Sequence, residues 1–289
     1  MARQATFAGR HTIQKLDAIE SYLRAYRNVL KNTSFTTIFF DAFAGTGELP
    51  VDDQEDTLFE GVFDKDEIIE GSAQRALQVQ PLFHRYVFVE KAKGKADALR
   101  EKLAKFPEAA KRADVITGEA NAEVMRFCAE TSWRSSRAVL FLDPFGNQVQ
   151  WKTLEVIARC PIDLWYLFPS HLGVSRQINL DGTVDPAKAQ SIDQLFGCTD
   201  WRESFLHREE SRDLFGATEV SVRQASADAA TRFMIGRMKT IFEGGVLDRW
   251  LPLGKNGAQW YSLLFAWGNR SEKAGRIARG IATHLMQRG

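Results

Sequence analysis

Five short apolar runs, each ending abruptly on an acid, a glycine or a proline, constrain this chain more than any other feature. Thr36-Thr37-Ile38-Phe39-Phe40 leads into Asp41-Ala42-Phe43-Ala44-Gly45-Thr46-Gly47. The runs 86–89, 114–117, 138–142 and 162–168 end at Glu90, Gly118, Asp143 and Pro169. Runs this short and this rich in β-branched and aromatic residues are strands. Between them, about 72–80, 91–106, 119–132 and 151–159 carry helical spacing. Strand and helix alternating five times predicts an α/β fold, a doubly wound and mainly parallel sheet.

The flanks fit one domain built on that sheet. Within 1–34, Ile13, Leu16, Ile19, Tyr22, Leu23, Tyr26 and Leu30 recur at three- and four-residue steps, the stripe of a helix packing on the core. The cofactor-binding core spans 35–169 and is interrupted at 48–70 by an acidic insertion that includes Asp52, Asp53, Glu55 and Asp56 and a single lysine, Lys65. That segment reads either as a solvated loop or as an electrostatic lid. In 170–289 the parallel rhythm stops: Gly173, Gly182, Pro186 and Gly197 mark an irregular loop and a short helix, 202–243 reads as broken helix, 259–267 is a strand, and a basic helix of about 271–286 closes the chain. This last third completes the same domain.

Of the 289 residues, 44% are hydrophobic and 26% charged, enough for a sizeable core without staples. Cys128, Cys160 and Cys198 form no C-x-x-C pair, which argues against a zinc site or a disulfide framework and for a reducing compartment. No metal site is expected. No apolar run approaches the roughly 18 residues of a membrane span, and the stretch around Arg3, Arg10 and His11 lacks a signal-peptide core, so a cytoplasmic protein without membrane contact is expected. Charge is uneven: residues 1–50 carry +2, residues 51–201 carry −6 and residues 202–289 carry +5. The basic C-terminal third suits either a nucleic-acid partner or ordinary solvated helix faces.

In open parallel sheets, ligands bind beyond the carboxyl ends of the strands, and the polar signals here fall at such ends. Gly45 and Gly47 let the backbone approach a ligand, Phe43 and Ala44 complete the loop, and Asp41 offers a carboxylate to an ammonium or hydroxyl group. Glu90, followed by Lys91, stands where an acid accepts hydrogen bonds from ribose hydroxyls. The two features together predict an adenosine cofactor. NAD is the rival, but Glu48 and Pro50 stand where G-x-G-x-x-G would continue, and Glu48 would repel a pyrophosphate. A cationic sulfonium suits these carboxylates better, so S-adenosylmethionine is the expected cofactor.

Gly118-Glu119-Ala120-Asn121 follows the third strand, where an amide can read the adenine edge; Asn121 as a helix cap is the other reading. Ser72 is expected to cap the helix bearing Arg75 or to line the cofactor tail. His171 reads as a proton acceptor or a solvated loop residue, and Trp165, Trp260 and Trp267 as core. The sharpest signal is Leu140-Phe141-Leu142-Asp143-Pro144-Phe145-Gly146. Asp143 can accept a hydrogen bond from an exocyclic amine while rigid Pro144 presents the Phe145 ring to a planar base. The bland alternative is a strand-to-turn Asp-Pro with a core phenylalanine.

Residues 41–47 resemble the D-x-F-x-G-x-G first motif of class I S-adenosylmethionine-dependent methyltransferases, which implies their Rossmann-like fold. Asp143-Pro144-Phe145 resembles the D-P-P-Y/F motif of amino-methyltransferases with one proline missing, and with Gly146 it is closer to the D-P-F-G of tRNA guanine-N2 methyltransferases. Nearly end to end, the chain also resembles the three-Cys-motif partner protein family: Lys15-Leu16 with Tyr22-Leu23, Phe39 through Gly45, Gly71-Ser72 with Arg75-Ala76-Leu77, Phe88-Val89-Glu90, Gly118 through Asn121, Phe141 through Gly146, Leu195-Phe196-Gly197 with Asp200-Trp201, and Tyr261 through Ala266. That resemblance implies a companion with a three-cysteine motif, similar to a radical iron–sulfur enzyme. Any cluster would belong to the companion, because this chain lacks the motif.

Two functional classes follow. The first is an enzyme that methylates an exocyclic amine, on a nucleobase in nucleic acid. The second is a methyltransferase-like subunit that holds cofactor or presents substrate for the three-Cys-motif companion. Intact Asp41, Glu90 and Asp143 favour the enzyme, and the single proline with the implied companion favours the subunit.

Overall fold

The computed structural model describes residues 7–46, 48–49, 69–213, 216–255 and 258–287. Gly47 and nearly all of the acidic insertion lie outside the described residues, so the expectations placed on them stay with the sequence. The central sheet holds eight strands: β1 (Thr36–Asp41), β2 (Arg85–Glu90), β3 (Ala113–Thr117), β4 (Ser136–Leu142), β5 (Ile162–Phe168), β6 (Gly245–Val246), β7 (Leu251–Lys255) and β8 (Ala258–Trp267). Their order is β6-β8-β5-β4-β1-β2-β3, with β7 also paired to β8. β1 to β5 are mutually parallel, and β8 runs antiparallel to β5. The fold is the doubly wound, mainly parallel sheet that the alternating runs predict.

Strand side chains alternate between faces because the backbone repeats every two residues. Ile38, Phe40, Val87, Val89, Leu140, Leu142, Leu164 and Tyr166 pack on one face under α5 (Ala120–Glu130), α6 (Trp151–Ala158), α7 (Pro186–Phe196), α8 (Trp201–Phe205) and α9 (Ala227–Lys239). Phe39, Tyr86, Phe88, Val139, Phe141, Trp165 and Leu167 pack on the other under α1 (Phe7–Leu30), α2 (Ser72–Gln78), α3 (Lys93–Leu103), α4 (Pro107–Ala110) and α10 (Glu272–Met286). Both faces are covered, which is why the strands read as continuous apolar runs. Each fully buried Phe on these faces contributes roughly 1.5–3 kcal/mol.

The predicted helices are present with shifted ends. The stretch 91–106 divides at Leu103, and Pro107 opens the short α4 at the position where a missing N–H costs nothing. α7 is capped at its start by Asp185, whose Oδ1 accepts from Ala187 N at 3.0 Å, and at its end by Gly197, left-handed at φ +65° with the Trp151 ring where a Cβ would stand. The irregular loop after β5 is a π-helical turn (Ser170–Val174) followed by a 3-10 turn (Ser175–Gln177).

The stretch 202–243 departs from expectation. Between α8 and α9, Leu206–Asp213 pairs antiparallel with Gly216–Arg223 in a hairpin, not a broken helix. Thr218, Val220 and Val222 do alternate with period two, but Glu and Arg dilute the pattern. β7 also escaped the sequence, because Pro252 and Gly254 argue against a strand; an edge position with a register shift at Leu253 and Gly254 accommodates both.

Candidate active site

Because β1 lies between β2 and β4, chain order reverses beside β1, the place where an open α/β sheet forms its ligand crevice. Asp41 pairs in register with Phe141, so Asp143 emerges two residues beyond, from the neighbouring strand. Past β1 the backbone is tied to both neighbours: Ala42 N donates to Phe141 O at 3.1 Å and Ala44 N to Val89 O at 2.9 Å. Gly45 then turns at φ +59° with open space where a side chain would be, a backbone conformation that favours glycine. The Phe43 side chain is half-buried and Ala44 is buried.

Asp41 is fully buried. Its Oδ1 accepts from Phe43 N at 3.1 Å and its Oδ2 from Ser72 Oγ at 2.5 Å. Burial pushes its carboxyl up to about 6, against the pull of those hydrogen bonds; the Asp143 charge adds to the rise and the Lys15 charge opposes it. Ser72 does not cap α2: Gly71 is the N-cap residue, and the Ser72 hydroxyl is directed to Asp41 instead. Arg75 ties α2 to α1 through Asp17 at 2.5 Å and Glu20 at 3.2 Å.

At the end of β2, half-buried Glu90 accepts from Ala92 N through Oε1 at 2.7 Å, and Lys91 is exposed. Gly118 N donates to Glu90 O at 3.1 Å, bringing the next turn alongside. Glu119 caps α5, with Oε2 accepting from Ala122 N at 3.0 Å and Oε1 from Asn121 Nδ2 at 2.8 Å. Burial raises the Glu119 carboxyl, but these hydrogen bonds and the Lys91 charge together hold it below its ordinary value.

Buried Asn121 is neither cap nor free amide. Its Nδ2 donates to Glu119 and to Gln148 O at 2.8 Å, and its Oδ1 accepts from Gln150 N at 3.0 Å and Thr153 Oγ1 at 2.8 Å. All four hydrogen bonds of a carboxamide are made within the chain, so Asn121 pins the loop after Asp143 to α5 and its amide is not available to an adenine edge. Ala120, beside it, is buried.

Asp143 lies at the mouth, its side chain 24% exposed, and its Oδ2 accepts from Lys15 Nζ of α1 at 2.5 Å. No hydrogen bond reaches its Oδ1 among the described residues. Pro144 is buried, and the Phe145 ring is 61% exposed, an uncovered aromatic on a loop otherwise well tethered. Phe145 N donates to Gln148 Oε1 at 3.0 Å, and Asn147 Nδ2 donates to Gly173 O at 2.7 Å, fastening this loop to the π-helical turn. Half-buried His171 lies in that turn, its Nδ1 3.2 Å from Ser175 Oγ. Trp165 and Trp267 are core residues and Trp260 is half-buried.

Sequence reasoning missed Lys15 as a member of this site. Its trace was a cation in line with Ile19, Tyr22 and Tyr26, at the spacing of the face that packs on the sheet. The basic residues in and just before the C-terminal helix, in contrast, lie elsewhere. β8 ends at Trp267, paired with Asp163 near the start of β5, so Arg270 and Lys273 stand at the opposite end of the sheet from Asp143. Arg270 is engaged with Glu243 and Arg276 with Glu272.

No family model matches the chain, and no curated protein matches it. Among solved structures, it is similar to protein LPL1258 of Legionella pneumophila, with TM-score 0.42 and 12% identity over 83% of this chain and 94% of that one. It is also similar to an O-methyltransferase from Bacillus cereus in complex with SAH, with TM-score 0.37 and 13% identity over 71% of this chain and 80% of that one. A methyltransferase from Geobacter sulfurreducens gives TM-score 0.32 and 12% identity over 71% and 77%. These neighbours have methyltransferase-like folds. At such scores the likeness carries no argument about chemistry, which rests on the residues themselves. Among the described residues no helix is long and apolar enough to cross a membrane, and no group of three His, Cys, Asp or Glu could hold a metal ion.

Proposed function

We propose that this protein is an S-adenosylmethionine-dependent methyltransferase that acts on an exocyclic amine of a nucleobase in nucleic acid. The observation that carries the reading is Asp143: a strand-end carboxylate that already accepts an N–H donor from Lys15 on one oxygen, leaves the other without a partner among the described residues, and stands beside exposed Phe145. The residues at these strand ends support that cofactor. Gly45 opens onto free space among the described residues, Glu90 has a second oxygen beyond the one bonded to Ala92, and the Asp41 carboxyl backs the loop.

In this reading Gly45, Phe43 and Ala44 take the cofactor's amino acid end, Ser72 keeps the Asp41 carboxylate in place behind them, and Glu90 takes the ribose hydroxyls, with Lys91, Glu119 and Ala120 at the adenine side. The cofactor, when bound, supplies an electrophilic methyl group. Asp143 Oδ1 accepts the substrate N–H and orients the nitrogen, and its charge stabilises the positive charge that develops there in the transition state. Lys15 fixes the carboxylate through Oδ2. Buried Pro144 holds the loop so that Phe145 stacks on the base and keeps water from the amine.

Incubation of the protein and total nucleic acid with methyl-labelled cofactor, followed by nucleoside mass spectrometry, tests this. The expected outcome is label on a base amine; label absent from every nucleoside contradicts it. A second reading, that of a subunit holding cofactor or presenting substrate for a three-Cys-motif companion, is favoured by one observation: Asp143 already carries a lysine ammonium, as a carboxylate retired from chemistry would. Label incorporated only when that companion is added would support it.

A further inference from the structure

A second concavity, of about 390 Å³, opens at the other end of the sheet between α1 and α10. Its volume falls within the range of small-molecule sites. Tyr26, Val29 and Leu30 of α1 form one wall and Ala274, Ile277 and Ile281 of α10 the other, with Val29 and Ile277 exposed to solvent. At its base is Asp163, whose Oδ2 accepts from Tyr22 OH at 2.6 Å. Its Oδ1 has no hydrogen-bond partner and the carboxyl has no ion pair among the described residues.

Every element around Asp163 contributes to its surroundings, and among the described residues none makes an ion pair with it. From α1 come the phenols of Tyr22 and Tyr26, from β4 Arg137, from α10 Lys273, and from the segment after β8 only Asn269 and Ser271. Arg137 is committed elsewhere: its Nη1 donates to Trp133 O at 3.0 Å and Ser136 O at 2.6 Å, and its guanidinium lies 3.8 Å from the Phe35 ring centroid. Burial pushes the Asp163 carboxyl up to about 7, with the Tyr22 hydrogen bond and the Arg137 charge opposing. Half-buried Asp163 lines the groove and keeps one oxygen without a hydrogen-bond partner among the described residues, so a ligand ammonium would find a carboxylate to pair with there.

We propose that the groove between α1 and α10 binds a small apolar monoamine, with its ammonium on Asp163 Oδ1 and its hydrocarbon between Leu30 and Ile277. A single ammonium suits the site because Lys273 and Arg137 would repel a second positive charge farther along. A neutral ligand would leave the carboxylate uncompensated, and an anionic one would add to its charge.

Titration calorimetry of the full chain with 2-phenylethylamine, 2-phenylethanol and phenylacetate separates these cases. At pH 8 the amine is expected to bind at least about tenfold more tightly than the alcohol, and phenylacetate most weakly. Lowering the pH through about 7 protonates Asp163 and weakens amine binding, leaving the alcohol unchanged. Asp163→Asn is expected to weaken the amine about tenfold and spare the alcohol. Ala274→Trp, which fills the groove from α10, should abolish binding of both and keeps the test decisive if Asp163→Asn does not fold. Equal affinity for amine and alcohol, tighter binding of phenylacetate, indifference of the amine to both substitutions, or no amine binding at about 10 mM would each overturn the proposal.

Discussion

Buried Asp41 at the carboxyl end of β1 and half-buried Asp163 near the amino end of β5 are carboxyls of one sheet, and they differ in what answers them. Asp41 accepts a backbone N–H and the Ser72 hydroxyl, and feels the opposing charges of Asp143 and Lys15; its carboxyl rises only to about 6. Asp163 accepts a single phenol hydrogen bond and has no ion pair among the described residues; its carboxyl rises to about 7. The contrast teaches where the fold has committed its polar groups. At the carboxyl end, loops from successive strands converge and supply donors; at the amino end, two helices close over the sheet and supply mostly hydrocarbon.

The sharpest way to break this division is to remove the carboxylate assigned to chemistry. Asp143→Ala should lower kcat by two to four orders of magnitude, about 2.7–5.5 kcal/mol, with cofactor affinity little changed, in single-turnover assays on the labelled nucleic acid. Near-normal turnover would make the motif a structural turn and the subunit reading the better one. Phe145→Ala should instead raise KM, by the loss of stacking worth about 1–3 kcal/mol, and leave kcat nearly intact.

A smaller effect concerns stability and reads the amino end. The folded-state value of Asp163 lies above the ordinary aspartate value of about 3.9, so the folded protein keeps a proton that the unfolded chain releases. Stability should therefore fall as pH rises from about 4 to about 7 and level off above that. Asp163→Asn should flatten this window and raise stability at pH 8 relative to wild type by about 1–2 kcal/mol, measured by denaturant unfolding at pH 5 and pH 8. Asp41 contributes in the same direction up to about pH 6, so the slope should shrink in the variant without vanishing. A slope unchanged by the substitution would place the titration elsewhere.

Much of the sheet could be read from the chain because strands buried on both faces leave unbroken apolar runs, as at 36–40 and 138–142. The strand-end positions of Asp41, Glu90 and Asp143 followed from where those runs stop. Lys15 did not, because nothing in a helical stripe says which residue of a distant strand it will meet. Residue type offers Ser72 as a cap or a cofactor-tail residue and Asn121 as an adenine reader or a cap, whereas their hydrogen bonds go to Asp41 and to the loop at 148–153, partners fixed only by tertiary packing. The hairpin Leu206–Asp213 with Gly216–Arg223 was hidden because its charged side chains dilute the alternation that betrays a strand. Nothing in the run 162–168 singles out Asp163; only the arrival of Tyr22 beside it gives that acid a role.

The measurement that reaches the central claim most directly is a calorimetric titration of S-adenosylmethionine into wild type, Glu90→Ala and Asp163→Asn protein. The account predicts binding by wild type, a loss of about 1.5–3 kcal/mol in Glu90→Ala, the scale of charge-assisted hydrogen bonds, and no change in Asp163→Asn. Tight binding of NAD with no response to the methyl donor, or a methyl-donor affinity indifferent to Glu90 and sensitive to Asp163, would contradict it.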